Sequence, residues 1–219
     1  MTPLWRLLRI AMAGLFTLVV LRPFTTVYAH APDQAKAAKP SHTATLSDRP
    51  IVTETVWDFT LTSHHGDNRK VSLQDYRGKV VLLTFGYTHC PDVCPMMLSR
   101  LKQLQGRLGK RHQEVQTLFI TFDPERDTPA RLQTYLALFD ATFVGLTGTA
   151  KDIGAIARQY LTSFEKLDGT LAAGYLYDHS DYIYLIDREG RLRRRYRSEA
   201  PLKIIANDIQ HLLTSSASP

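Results

Sequence analysis

Two cysteines, Cys90 and Cys94, fall in one run, Phe85-Gly86-Tyr87-Thr88-His89-Cys90-Pro91-Asp92-Val93-Cys94-Pro95, directly after an apolar stretch. The β-branched and apolar residues before Gly86 read as a strand and those from about Val93 as a helix, so both sulfurs sit at a strand-to-helix turn. Unpaired N–H groups at a helix N-terminus favour thiolate, the form that attacks disulfides and binds metals. Three residues intervene, where the thioredoxin-type redox motif has two. A four-residue step puts both side chains on one helix face, where they can converge on one small ion or, with a suitably bent first turn, close a disulfide. A structural staple is the weaker reading, because closing so short a loop removes little unfolded-state entropy.

Neighbouring residues carry plainer expectations. His89 reads as a side chain that caps or orients the loop, since adjacent residues seldom point into one coordination sphere. Asp92 suits two compatible roles: a carboxylate at the helix N-terminus, and a charge just outside a metal's ligands that tunes affinity and potential. Met96 and Met97 read as helix core packing rather than thioether ligands. In Asp123-Pro124-Glu125-Arg126-Asp127-Thr128-Pro129, Thr128 and Pro129 are a helix N-cap and first-turn proline, so structural support is the default reading, and a docking surface that includes Glu125, Arg126 and Asp127 is the lesser alternative. In Tyr177-Asp178-His179-Ser180-Asp181, the flanking Asp178 and Asp181 read as candidate acceptors for a ring N–H of His179 that would fix its tautomer.

The elements that must position these residues follow from hydrophobic periodicity. Short strands are expected over 53–62 and 70–73, around a turn at 64–68. Strands at 79–85, 114–122 and 143–146 then alternate with helices at 94–108, 128–139 and 150–161. This βαβαβα rhythm implies a parallel or mixed sheet with helices on its faces, and ligands gather at the carboxyl ends of such strands. A hairpin of 182–187 and 191–196 and a helix over 201–213 close the unit. His179 precedes its strand, so it faces the cysteines only if that strand runs antiparallel.

Residues 1–31 have the layout of a secretory signal or membrane anchor: Arg6 and Arg9, an uncharged apolar run from Ile10 to Leu21, and the small-x-small site Ala29-His30-Ala31. Either reading puts the folded part outside the cytoplasm, periplasmic in a bacterium. Residues 32–50, rich in Ala, Lys, Ser, Thr and Pro, read as a flexible tether, and 214–219 as a disordered tail. The net charge of +6 falls by three when Arg6, Arg9 and Arg22 leave with the leader. The remaining basic cluster, Arg188 to Arg197, reads as a solvated hairpin suited to an acidic partner or anionic lipid. Nucleic-acid binding would need an extended basic face with readout elements, and export argues against it.

The run Gly86 to Pro95, the run Asp123 to Pro129 and Asp178-His179-Ser180, in this order and spacing, resemble the Sco/SenC family of copper proteins over about 51–213. The resemblance implies a thioredoxin-like α/β fold, with a central mixed sheet flanked by helices, an N-terminal hairpin, and an inserted hairpin over 164–177 before the histidine-bearing loop. It also implies a copper site made of Cys90, Cys94 and His179. Two thiolates suit copper(I), and the imidazole allows copper(II) with an added oxygen donor, whereas a structural zinc site lacks a third cysteine. The function implied is a metallochaperone for the binuclear copper centre of cytochrome c oxidase. Its partners would be the copper-accepting oxidase subunit, a thiol reductant and an upstream copper donor. The alternative is a thiol-disulfide oxidoreductase in which Cys90 and Cys94 form a catalytic redox pair and a reversible disulfide. The three-residue spacing and the lack of proline around 177–182 weigh against it, and a thiol peroxidase fits less well.

Overall fold

The computed structural model describes residues 58–65, 69–168 and 174–214. The expected leader, the tether, the start of the first strand and all of the expected tail except Thr214 lie outside the described residues; Thr214 itself ends a helix. In chain order, β1 (Thr60–Ser63) and β2 (Lys70–Ser72) form an antiparallel N-terminal hairpin. Next come β3 (Val80–Gly86), α1 (Val93–Leu108), β4 (Val115–Thr121), α2 (Pro129–Ala137), β5 (Val144–Thr147) and α3 (Ala150–Gln159). A separate antiparallel pair follows, β6 (Phe164–Asp168) and β7 (Tyr175–His179). The hairpin of β8 (Tyr182–Ile186) and β9 (Leu192–Arg197) and the helix α4 (Leu202–Thr214) complete the unit.

The main sheet, in the order β2-β1-β5-β4-β3-β8-β9, is mixed: β3, β4 and β5 are parallel, whereas β1 and β8 join them antiparallel. All residues of β3 are buried because layers cover both faces of the strand. Alternate side chains serve the two layers. Val80 and Leu82 pack with Leu98 and Leu101 of α1 and Ile205 and Ile209 of α4. Val81, Leu83 and Phe85 pack with Ile153 and Ile156 of α3. The antiparallel pairing of Thr84 with Ile183 brings the start of β8, and His179 just before it, to the carboxyl end of β3. Among the described residues no helix is long and apolar enough to cross a membrane.

Three departures from the expected elements have local causes. β2 stops at Ser72, whose N–H donates to the Asp75 carboxylate (2.7 Å) and starts a 3-10 turn over Leu73–Tyr76. The third helix stops at Gln159 rather than Leu161, because Leu161 takes the left-handed conformation (φ 51°) and the Thr162 N–H returns to the Ala157 carbonyl. The basic strand β9 is not a free solvated face. Arg191 and Arg193 pair with Asp187, Arg194 with Asp208, Arg197 with Asp181, and Arg188, beyond the strand, with Glu114. These acids lie on different elements, so most of the cluster's charge is neutralised within the fold.

Candidate metal centre

After Gly86 the chain leaves the sheet and turns: the Cys90 N–H reaches the Tyr87 carbonyl (3.3 Å) and α1 starts at Val93. Cys94 lies in the first helical turn and its N–H donates to Cys90 Sγ (3.4 Å). Cys94 is wholly buried, Cys90 retains 8% exposure, and both are free thiols. The expected hairpin before the histidine is present, and it extends to include it: His179 is the last residue of β7, opposite Phe164, rather than part of a loop. Its Nε2 lies 3.4 Å from Cys94 Sγ. The two sulfurs and one imidazole nitrogen all lie within 4.8 Å of one another.

The second imidazole nitrogen, Nδ1, sits 2.9 Å from the Ser180 carbonyl oxygen, which can only accept, so Nδ1 carries the proton and Nε2 is left to face the sulfurs. This corrects the expectation that Asp178 or Asp181 accepts from the ring. Asp178, next to His179 in a strand, projects from the opposite face. Asp181 is committed to Ser198 Oγ (2.6 Å) and Arg197. Tyr87 and Phe122, with ring centroids 5.9 and 5.3 Å from that of His179, wall the imidazole in.

Asp92 stands at the N-cap of α1, but its exposed carboxylate makes no capping hydrogen bond; what reaches Cys90 is its backbone N–H. Met97 is buried in the core as expected, but Met96 is 48% exposed, because the buried face of α1 runs through Cys94, Met97, Leu98 and Leu101. His89 orients its loop as expected: its Nδ1 lies 3.2 Å from Thr88 Oγ1 and 3.8 Å from the Asp127 carboxylate.

His89, Asp123 and Asp127 form a second convergent group. Its carboxylates are already occupied by protein donors. Asp127 accepts from the Thr88 N–H (2.9 Å), the Thr88 hydroxyl (2.6 Å) and the Thr121 hydroxyl (2.6 Å). Asp123 pairs with Arg126 and accepts from the Tyr175 hydroxyl (2.7 Å). Asp127 therefore ties the cysteine loop to the turn after β4. The structural reading of this run fits these ties, whereas a docking surface that includes Asp127 does not, because Asp127 is wholly buried and its carboxylate is occupied; the individual roles of Tyr87, Thr88 and Tyr175 depend on tertiary contacts that residue type and spacing do not reveal.

The two thiols are electrostatically unequal. A hydrogen bond from Cys94 lowers the Cys90 pKa to about 4; burial opposes this, and His179 and the backbone N–H groups of Asp92 and Cys94 assist. Donation to Cys90, burial and the Cys90 charge push Cys94 far up, so it holds the shared proton. Burial works against a charged His179, but hydrogen bonding to Cys90 and to the Ser180 carbonyl outweighs it and raises its pKa. The short contact of Nε2 is with Cys94, whereas the charge it senses is on Cys90; the Cys94 proton stabilises that thiolate, and His179 adds to it when the ring is protonated at Nε2 as well as at Nδ1. Alkylation of Cys90 in the reduced, metal-free protein is therefore expected to stay nearly level from pH 8 to pH 5. An ordinary thiol, with a pKa near ~8.5, would lose about tenfold per unit over that range. A pH–rate profile falling in that ordinary way would contradict the Cys90 thiolate.

Comparison with known proteins agrees with this architecture. The family described as SCO1/SenC matches residues 48–214. "Protein SCO2, mitochondrial" of Saccharomyces cerevisiae is 39% identical over 158 residues, 69% of this chain and 52% of that protein. The chain thus spans about half the length of that relative. Bradyrhizobium japonicum ScoI, solved with copper bound, superposes with a TM-score of 0.65 at 34% identity, covering 72% of this chain and 99% of that one. BsSco, described as having a disulfide switch and belonging to the Sco family of cytochrome c oxidase assembly proteins, superposes with a TM-score of 0.63 at 25% identity, covering 76% and 97%. With a thioredoxin-like mixed sheet, a Cys-x-x-x-Cys turn at the end of its central strand and a histidine facing it, the chain belongs to the SCO1/SenC family.

Proposed function

We propose that this protein is a copper carrier for the assembly of cytochrome c oxidase, holding one copper ion through Cys90 Sγ, Cys94 Sγ and His179 Nε2. The observation that carries the proposal is the convergence of these three atoms within 4.8 Å at a buried turn. The copper-bound relative and the oxidase-assembly description of BsSco support it. Soft thiolates suit copper(I), and the imidazole extends the set toward copper(II). Among the described residues no fourth His, Cys, Asp or Glu joins the group, so the set is short of a closed structural zinc site. Copper is cargo here. A site with an open position lets a thiolate of the accepting oxidase subunit replace one ligand at a time, without unfolding the carrier. Loading requires both thiols reduced, because a Cys90–Cys94 disulfide offers no thiolate, so a thiol reductant and an upstream copper donor belong to the cycle. The leader-like N-terminal sequence supports work outside the cytoplasm.

A second reading, thiol-disulfide exchange with the copper-site cysteines of the acceptor, is favoured by the unequal thiols. The Cys90 thiolate would attack a partner disulfide and form a mixed disulfide. Cys94 would then lose its proton and displace the partner, which leaves as a dithiol while Cys90 and Cys94 become the disulfide.

Titration of the reduced full chain with copper(I) and copper(II), followed by sulfur-to-copper charge-transfer absorption and chelator competition, separates the two. One tight equivalent supports the carrier. No tight binding, with a readily exchanged Cys90–Cys94 disulfide, selects the oxidoreductase.

A further inference from the structure

We infer that Tyr175 is a positioning residue that clasps the β6–β7 hairpin and sets copper(II) affinity through His179; this deepens the carrier reading and rests on His179 being a ligand. Among the described residues the hairpin forms its own two-stranded sheet and has no ladder pairing with the seven-stranded one. The pairing of β8 with β3 brings His179 to the site, and its height and direction above the cysteines depend further on ties that side chains make to the hairpin.

Two such ties lie on β7, and both are at residues sharing a face with His179, since alternate strand positions point the same way. At Tyr177 the tie comes from Tyr87, whose phenol oxygen accepts the Tyr177 N–H (3.1 Å) and can donate to its carbonyl (3.4 Å), standing in for a neighbouring strand. Tyr87 follows β3 and packs edge-on against both Tyr177 and His179. Farther along, at Tyr175, the tie comes from the turn after β4. The Tyr175 hydroxyl donates to Asp123 (2.7 Å), with Glu125 at 3.3 Å. Its ring lies between the Arg126 guanidinium and the Lys166 ammonium, 3.6 and 3.7 Å from the centroid. Arg126 is paired with Asp123 and donates to the Tyr175 carbonyl (3.1 Å). Asp123 is wholly buried, so the anchor is a fixed one.

The geometry has a direct consequence for the site. The turn that holds the cysteine loop through Asp127 also holds the histidine strand through Asp123 and Arg126. One short segment thereby registers both halves of the ligand set against each other. Loosening Tyr175 leaves the two cysteines in place on α1 and lets His179 swing. The ion with the greater need for the nitrogen donor, copper(II), should feel this more than copper(I).

The test uses the full chain with Tyr175→Phe, which keeps the ring between the two cations and removes the hydroxyl, and Tyr175→Ala, which removes both. Each is made alone and in a His179→Ala background. Groups that orient a metal's ligands typically change affinity by about 10–100-fold. Copper(II) affinity is expected to fall about tenfold in Tyr175→Phe and further in Tyr175→Ala, with Cys90–Cys94 disulfide formation retained. In the His179→Ala background the same substitutions should have no further effect, because there is nothing left to position. In the metal-free protein, the imidazole resonances of His179 should broaden or move toward those of a free side chain in Tyr175→Ala. An equal loss in the His179→Ala background would make Tyr175 merely structural and overturn the inference. Unchanged copper(II) affinity in both single variants, with His179→Ala weakened, would overturn it as well. If His179→Ala itself binds copper normally, the ligand assignment fails and takes the clasp with it.

Discussion

His179→Ala is expected to cost more copper(II) affinity than the roughly 10–100-fold typical of losing a group outside the ligand set, and to cost copper(I) affinity less. The substitution removes the one nitrogen of the converging trio and leaves two sulfurs, which satisfy a soft monovalent ion far better than a divalent one. The thiols themselves should remain competent. The largest influence lowering the Cys90 pKa is the hydrogen bond from Cys94, and His179 contributes less, so the Cys90 thiolate persists and the disulfide still forms. Chelator competition in both oxidation states, with thiol titration of the same samples, reads all three quantities. Undiminished copper(II) binding would remove His179 from the site. Loss of thiolate reactivity together with copper would mean that the histidine serves the cysteines rather than the metal. In cells, a His179→Ala protein that still supports oxidase assembly would favour disulfide exchange over metal delivery, a distinction that Cys90 and Cys94 substitutions cannot make because they abolish both.

How much of this could be read from sequence follows the range of each interaction. The cysteine pair and its strand-to-helix turn are local, so residue type and spacing were enough. The βαβαβα core was legible for a similar reason: β3 is buried on both faces and therefore continuously apolar. His179 is different. It lies 85 positions from Cys94 and reaches it only because β8 runs antiparallel beside β3, so family resemblance, not periodicity, selected it. The role of the turn after β4 stayed hidden because its partners, Thr88 and Tyr175, are 39 and 52 residues away from the aspartates they bind. The pairing of the basic cluster was hidden partly on the same ground: Asp187 is local to Arg191 and Arg193, but Arg194, Arg197 and, beyond the strand, Arg188 find their acids in α4, in the segment before β8 and in the segment before β4. Asp178 and Asp181 were reasonable acceptors for the imidazole by proximity in sequence, but strand alternation and the Ser198 hydroxyl direct them elsewhere.

The second large effect comes from a residue with no side chain. Gly86 ends β3 on the face shared by Val80, Leu82 and Thr84, directly beneath the cysteine turn. A Cβ there would lie 2.8 Å from Cys94 Sγ and 2.8 Å from Phe119 Cε2, closer than non-bonded carbon atoms tolerate. The conflict is one of space, since Gly86 is not among the glycines in the left-handed region. Neither neighbour is free to yield: Cys94 is wholly buried in the first turn of α1, and Phe119 is wholly buried on β4. Overpacking of this kind costs about 1–3 kcal/mol. For a domain of this size each ~1 kcal/mol lowers Tm by roughly 2–4 °C, so Gly86→Ala should melt several degrees lower. Because one of the two displaced atoms is a sulfur of the proposed ligand set, the same substitution should weaken copper(I), an ion for which His179→Ala is expected to be mild. Gly106→Ala is the control. Gly106 lies within α1 with nothing inside 4 Å of the added carbon, and alanine there should be neutral or stabilise by up to about 1 kcal/mol through helix propensity. A Gly86→Ala protein with the melting temperature and copper(I) affinity of the parent would show that the sulfur has room to move, and that the site is looser than its packing implies. A lower Tm with copper(I) affinity intact would assign the strain to Phe119 and leave Cys94 where the ligand set requires it.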